Sequence, residues 1–253
     1  ADYFKTYPDS LLFEILNEPR EKLAVPDLWN QYASDALSEI RKPNPDRYVL
    51  LCSSNWSGIH GLESLVLPDD KHLILTVHYY DPFNFTHQGA DFANMEHITG
   101  VKWQDMEMER EVVIQDFQEV KSFSEKHNIP VHVGEFGTYF KADMDSRVRW
   151  TTFMSRFFEE QGFSWAYWEF SSTFGIYSPS TGIFLQPLVN ALLHNPLPEP
   201  TPVKTSVIYE SDFDKNGMKG CFYQNTSGVA ETPFIKSNKF NVHILKEGSE
   251  AWG

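Results

Sequence analysis

Leu11-Leu12-Phe13-Glu14-Ile15-Leu16-Asn17-Glu18-Pro19 is a short apolar run that ends in an amide, a carboxylate and a proline. Pro8-Asp9-Ser10 precede it and Pro19 stops it, so a buried strand is expected. What stands at the C-terminal end of this strand decides the fold. Asn17 and Glu18 are polar groups placed where the apolar run stops, and the arrangement returns along the chain. Tyr48-Val49-Leu50-Leu51-Cys52 is followed by Asn55-Trp56, and Leu73-Ile74-Leu75-Thr76-Val77-His78 runs into Tyr79-Tyr80. Val131-His132-Val133 leads to Glu135, and the run from Ser164 closes on Trp168.

Helical spacing fills the intervals. Apolar residues recur with a helical period from Leu28 to Ile40, from Glu109 to His127, from Arg147 to Gln161 and from Gln186 to His194. A shorter helix is expected between Gly58 and Leu67, and a long loop from Asp81 to about Glu107. Strands alternating with helices give an α/β class built from parallel units. A doubly wound sheet and a barrel both accommodate five such units. Polar residues gathered from several strand ends are the mark of the barrel. No G-x-G-x-x-G turn follows any strand, which removes the support for a dinucleotide fold. The fold expected is therefore an incomplete (β/α)8 TIM barrel followed by a short all-β segment.

Composition narrows the function classes. The 253 residues carry a formal charge of −14, and a nucleic acid or an anionic membrane surface calls for a basic face. No apolar run approaches the roughly 18 residues that a membrane helix needs. Two cysteines, Cys52 and Cys221, are too few for a disulfide scaffold or a cysteine-rich metal cluster. The nine histidines are scattered without metal-site spacing, and no cofactor motif is present, so neither metal nor cofactor is expected. The 7 Trp, 11 Tyr and 20 Phe suit either a large core or stacking surfaces. Residues 1–195 read as the barrel domain and 196–203 as a stiff proline-rich linker. Residues 204–253 read as a short β-rich segment, with strands expected at Val207–Tyr209, Cys221–Tyr223 and Asn241–Leu245.

Two carboxylates carry the chemistry. Glu18 and Glu135 each stand just past a strand. Either alone reads as a capping or surface residue; together they suit glycosidic bond cleavage, in which one carboxylic acid protonates the leaving oxygen and a second carboxyl acts as nucleophile or base.

On four motifs the chain resembles glycoside hydrolase family 5, the (β/α)8-barrel cellulases and related β-glycanases. Phe13-Glu14-Ile15-Leu16-Asn17-Glu18-Pro19 is similar to that family's acid/base motif on the fourth strand. His78-Tyr79-Tyr80 is similar to its sixth-strand motif, Gly134-Glu135-Phe136-Gly137 to its nucleophile motif on the seventh, and Trp168 to its eighth-strand tryptophan. The resemblance covers residues 1 to about 195. It implies a secreted, retaining endo-β-1,4-glucanase acting on β-glucan, with Glu18 as general acid/base and Glu135 as nucleophile. It further implies that Asn17 meets the sugar 2-hydroxyl, His78 tunes the pair, Tyr80 orients Glu135 and Trp168 floors the site. His87, Trp103 and Trp56 are expected as further sugar contacts, and Trp29 as a distal contact or a packing residue.

Three β/α units that open the family barrel have no counterpart in this sequence. With them go an arginine and a histidine that line the family's site. A different reading is therefore a catalytically impaired glycan-binding or structural fragment. Five strands do not close an eight-stranded barrel. Open edges at the strands of Leu11–Leu16 and Ser164–Trp168, both read as apolar on their two faces, lead to the expectation of a homo-oligomer. The segment from Tyr209 onward resembles the opening strands of a carbohydrate-binding module. Asp212-Phe213-Asp214-Lys215-Asn216-Gly217 begins like a calcium loop, but its twelfth position is Tyr223 where a glutamate is needed, so a turn is expected.

Overall fold

A computed structural model of the chain describes residues 1–202, together with the backbone of two short strands at 234–236 and 239–241. Two compact units are present, Ala1–Pro200 and Thr201–Gly253. In the first, five parallel strands lie side by side in chain order: β1 (Phe13–Glu14), β2 (Val49–Cys52), β3 (Leu73–His78), β4 (Val131–Phe136) and β5 (Ser164–Tyr167). The intervening helices are α1 (Pro26–Arg41), the single-turn α2 (Phe83–Thr86), α3 (Glu107–His127) and α4 (Met144–Glu160), and α5 (Gln186–Leu193) follows the sheet. This is the parallel β/α winding of part of a TIM barrel, five of the eight strands that such a barrel contains.

The sheet separates two kinds of residue. Val49, Leu51, Leu73, Leu75, Val77, Val131 and Val133 are buried in one hydrophobic core with the helices. That core takes Trp29, Ala33 and Leu37 from one stripe of α1, Val113, Phe117 and Val120 from α3, and Trp150, Phe153, Met154, Phe157 and Phe158 from α4. The opposite face, the barrel interior, carries Thr76, His78 and Gly134, which lie close together. Alternation of side chains along a strand is what divides them.

Helix boundaries follow from local chemistry. Pro26 at the first position starts α1, whose preset φ suits a residue with no amide to satisfy. Asp143 caps α4 by accepting from the amide of Ser146 at 3.0 Å. The carboxylate of Glu109 turns back to the amide of Met106 at 2.9 Å, which extends α3 two residues before the expected start. Asn128 in the left-handed conformation, φ 51°, ends the same helix.

The first strand is shorter than its sequence suggests. The buried guanidinium of Arg47 gathers the carbonyls of Phe4, Tyr7, Pro8 and Leu11, so the segment before Phe13 wraps around one side chain and does not pair. Arg41 does comparable work at the foot of β2 and β3, binding both oxygens of Asp70 and the carbonyls of Asn44, Arg47 and His72. The outer strand β5 is not apolar on both faces either: Ser164 and Ala166 are exposed, while Trp165 and Tyr167 pack on the core.

The long loop after β3 contains α2 and a 3-10 turn at Asp91–Ala93. An antiparallel hairpin after β5, β6 (Tyr177–Ser178) with β7 (Ile183–Phe184), was not expected from the sequence. In the second unit the described strands are β8 (Phe234–Lys236) and β9 (Lys239–Asn241), paired antiparallel. The strands expected at Val207–Tyr209 and Cys221–Tyr223, most of that at Asn241–Leu245, and the loop from Asp212 to Gly217 lie outside the described residues.

Candidate active site

The C-terminal ends of the five strands form one rim, stitched together by the backbone. Trp56 donates its amide to the Pro19 carbonyl at 3.0 Å, His78 to Ser57 at 2.9 Å, Tyr79 to Glu135 at 2.9 Å and Trp168 to Phe136 at 2.8 Å. Each strand end is thus fixed by its neighbour. Left-handed backbone appears here at non-glycine residues: Glu18 at φ 47°, and Asn55, Trp56 and Ser57 in succession at φ 63°, 65° and 57°. Such conformations cost on the order of 1–3 kcal/mol each and persist only where surroundings enforce them. The bonds from Trp56 to Pro19 and from His78 to Ser57 supply that enforcement. Gly137 allows the ends of β4 and β5 to meet, since a Cβ there would collide with the Trp168 carbonyl oxygen.

Within the rim three groups converge. His78 Nδ1 lies 2.8 Å from Glu18 Oε1 and 3.6 Å from Glu135 Oε2. The facing atoms of Glu18, His78 and Glu135 are all within 4.8 Å of one another. The Tyr80 hydroxyl donates to Glu135 Oε2 at 2.8 Å. One glutamate is therefore held by a phenol and the other by an imidazole, with the imidazole between them. That is a pair of carboxyl groups bridged through one imidazole, an arrangement in which one carboxyl can hold a proton while the other stays ionised.

Burial pushes the Glu135 carboxyl above the usual carboxylate range; the His78 charge and the Tyr80 hydrogen bond pull it back, while Glu18 and Glu14 push it up. Burial, then the Glu135 charge, raises the Tyr80 phenol, which therefore keeps its proton and stays a donor. Glu14, an exposed residue on β1 whose carboxyl is only partly screened from water, is also raised, chiefly by that partial desolvation and against the pull of His78.

The sequence expectations separate here. Glu18, Glu135, His78 and Tyr80 come together. Asn17 is exposed beside Glu18. Trp168 and Trp56 are open to solvent on the same rim, 45% and 48% exposed, with the Arg20 guanidinium 4.8 Å above the Trp56 ring. Trp103 is not a surface ring: it is 2% exposed and stacks on Phe153 in the core. Trp29 also packs, its Nε1 donating to the Cys52 carbonyl at 2.8 Å.

His87 is 7% exposed, stacks on Phe83 at 3.9 Å and meets the edge of Tyr80 at 5.0 Å; burial lowers its pKa to about 4. It is a neutral part of the aromatic wall, with Phe174 and Tyr139, that backs the Tyr80 ring. Sequence reasoning missed Ser57, Glu14, Thr76 and Gly134. The last three sit on the interior face with His78, and the two-residue step from Thr76 to His78 was the available signal.

The Cellulase family model (glycosyl hydrolase family 5) matches residues 1–173. Endoglucanase H of Acetivibrio thermocellus is 36% identical over 201 residues, 77% of this chain and 21% of that protein. A hyperthermophilic endo-β-1,4-glucanase solved in complex with substrate superposes with a TM-score of 0.73 at 46% identity, over 76% of this chain and 62% of the other. Thermotoga maritima Cel5A, solved in complex with mannotriose, gives a TM-score of 0.73 at 40% identity with the same coverage. The chain thus spans about a fifth of the first relative and under two thirds of these solved chains.

Proposed function

From the premise that this chain belongs to the cellulase family, glycosyl hydrolase family 5, we propose that it is a retaining endo-β-1,4-glucanase. Glu135 attacks the anomeric carbon while Glu18 protonates the departing oxygen, giving a glycosyl-enzyme. Glu18 then removes a proton from water, which displaces Glu135. The observation that carries this reading is the unequal holding of the pair. Tyr80 donates to the Glu135 oxygen at 2.8 Å, a bond that favours the ionised carboxylate a nucleophile must be. Glu18 faces the imidazole, which is suited to exchanging a proton with it.

Exposed Trp168 and Trp56 offer ring faces on the rim for pyranose stacking, and Asn17 stands beside the acid for the sugar 2-hydroxyl. A β-1,4-glucan is the first substrate class, since a solved relative is an endo-β-1,4-glucanase in complex with substrate. Mannan is the second, because the mannotriose complex is of a chain 40% identical to this one. A non-catalytic glycan-binding role is disfavoured by the assembled pair. Hydrolysis of a panel of defined β-1,4-gluco- and manno-oligosaccharides tests the proposal. Cleavage of internal cellohexaose bonds supports it, and binding without turnover of any member contradicts it. Secretion and self-association accompany the reading as proposals; light scattering on the purified chain tests the second, and a monomer at micromolar concentration contradicts it.

A further inference from the structure

Glu18 gives its proton to the departing oxygen, so the sugar that leaves lies on the Glu18 side of the bond. Trp168 stands at the other end of the rim, its amide on the Phe136 carbonyl next to Glu135. The neighbour of Glu18 is Trp56, whose amide donates to the carbonyl of Pro19 at 3.0 Å. Both of these segments hold strained backbone. Glu18 and Glu21 flank Pro19 and Arg20 at φ 47° and 54°, and Trp56 is the middle one of three consecutive left-handed residues. Conformations of this kind collect where a site needs particular side chains presented. Here they present a ring and a cation together. Trp56 is 48% exposed, and the Arg20 guanidinium lies 4.8 Å from its ring centroid. Arg20 is itself exposed. The chain has seven arginines, and six of them are committed within the fold. Arg41, Arg110 and Arg156 bind carboxylates, Arg47 gathers carbonyls, Arg147 donates to the Thr138 hydroxyl and Arg149 to the Trp103 carbonyl. Arg20 instead rests on the Trp56 ring, with no hydrogen bond or ion pair from its guanidinium among the described residues. Its donors are available to a ligand.

We propose that Arg20 is a specificity-determining residue for the departing sugar. The first departing pyranose packs on the exposed part of the Trp56 ring, and the Arg20 guanidinium, already seated on that ring, donates to its hydroxyls. A planar fork reaches two neighbouring oxygens at once, which suits the adjacent hydroxyls of a pyranose. The cation–π contact holds the guanidinium in place before the sugar arrives, and this lowers the cost of ordering a long side chain. A leaving group without hydroxyls has nothing for the fork to bind. Arg20 therefore sorts leaving groups by what they carry, while the bond-breaking step stays with Glu18 and Glu135.

The inference rests on the hydrolase reading, and a binding measurement separates the two. kcat/KM is read for cellotetraose, whose departing half is a sugar, and for β-cellobiosyl fluoride, whose leaving group is a single atom. Arg20→Leu keeps an apolar stem against the ring and removes the donors. It is expected to lower the ratio of the first constant to the second about tenfold or more, at an unchanged melting temperature. Arg20→Lys keeps a charge but not the fork, and recovers only part of the ratio. In a Glu135→Gln background, where the bond stays intact, Arg20→Leu is expected to weaken cellotetraose binding by a similar factor in calorimetry. A ratio within about twofold of the wild type, or an unchanged cellotetraose affinity, overturns the proposal. An absence of hydrolysis of both substrates by the wild type, with the loss of affinity intact, overturns the hydrolase reading alone.

Discussion

Tyr80 donates its phenolic proton to Glu135 Oε2 at 2.8 Å, across the gap between the ends of β3 and β4. The phenol is placed by what lies behind it: His87 and Phe174 meet its ring edge-on at 5.0 and 6.0 Å, and Thr86 Oγ1 donates to its carbonyl. The loop after β3 is thus a support for one hydrogen bond. Tyr80→Phe keeps the ring and deletes the donor. Because that bond lowers the Glu135 pKa, its loss moves the acidic limb of the kcat/KM profile to higher pH. A hydrogen bond to a charged group is worth about 1.5–3 kcal/mol, so a loss of roughly 10- to 150-fold at the optimum is expected. A pH–rate series checks both, and an unmoved acidic limb contradicts the role given to Tyr80.

Glu135 has a stability signature of its own. Its folded pKa is raised above its unfolded value, mainly by burial. The folded state therefore binds the proton more tightly, and stability falls as pH rises from the unfolded pKa through the folded one. Glu135→Gln imitates the neutral acid. The variant is expected to melt above the wild type at neutral pH and with it at about pH 3, where the unfolded carboxyl is itself protonated. Melting curves at the two pH values test this, and a variant less stable at neutral pH is the contrary result.

The tryptophans divide by location. Trp103→Ala, in the core, should cost about 3–5 kcal/mol of stability, and any activity lost should follow the unfolded fraction. Trp168→Ala, on the rim, should leave the melting temperature nearly unchanged while raising KM for cello-oligosaccharides. Paired denaturation and steady-state measurements separate the two, and the reverse pattern would mean that the rings are misassigned.

Much of this was legible in the sequence. The strand ends at Glu18, His78, Glu135 and Trp168 could be read because apolar runs stop abruptly at polar residues, and the sheet order followed from the alternation of strands with helices. What could not be read was set by distant partners. Leu11 and Leu12 look like strand, yet a carbonyl there is taken by Arg47, some 36 residues away. Trp103 looks like a loop aromatic in a polar stretch, and only the approach of α4 makes it core. His87 reads as a sugar contact until Phe83, four residues before it on the same turn, is found stacked on its ring. Gly134 reads in the sequence only as the start of the Glu135 motif; its tight packing against Thr76 and His78 comes from the neighbouring strand.

The central claim is that Glu135 is the nucleophile of a retaining reaction. Incubation with an activated 2-deoxy-2-fluoro-β-cellobioside, followed by mass spectrometry of the proteolysed protein, tests it most directly. The account predicts one glycosyl adduct per chain, on the peptide containing Val133-Gly134-Glu135-Phe136 and localised to Glu135. An adduct on Glu18, or none while the substrate is still turned over, would contradict it.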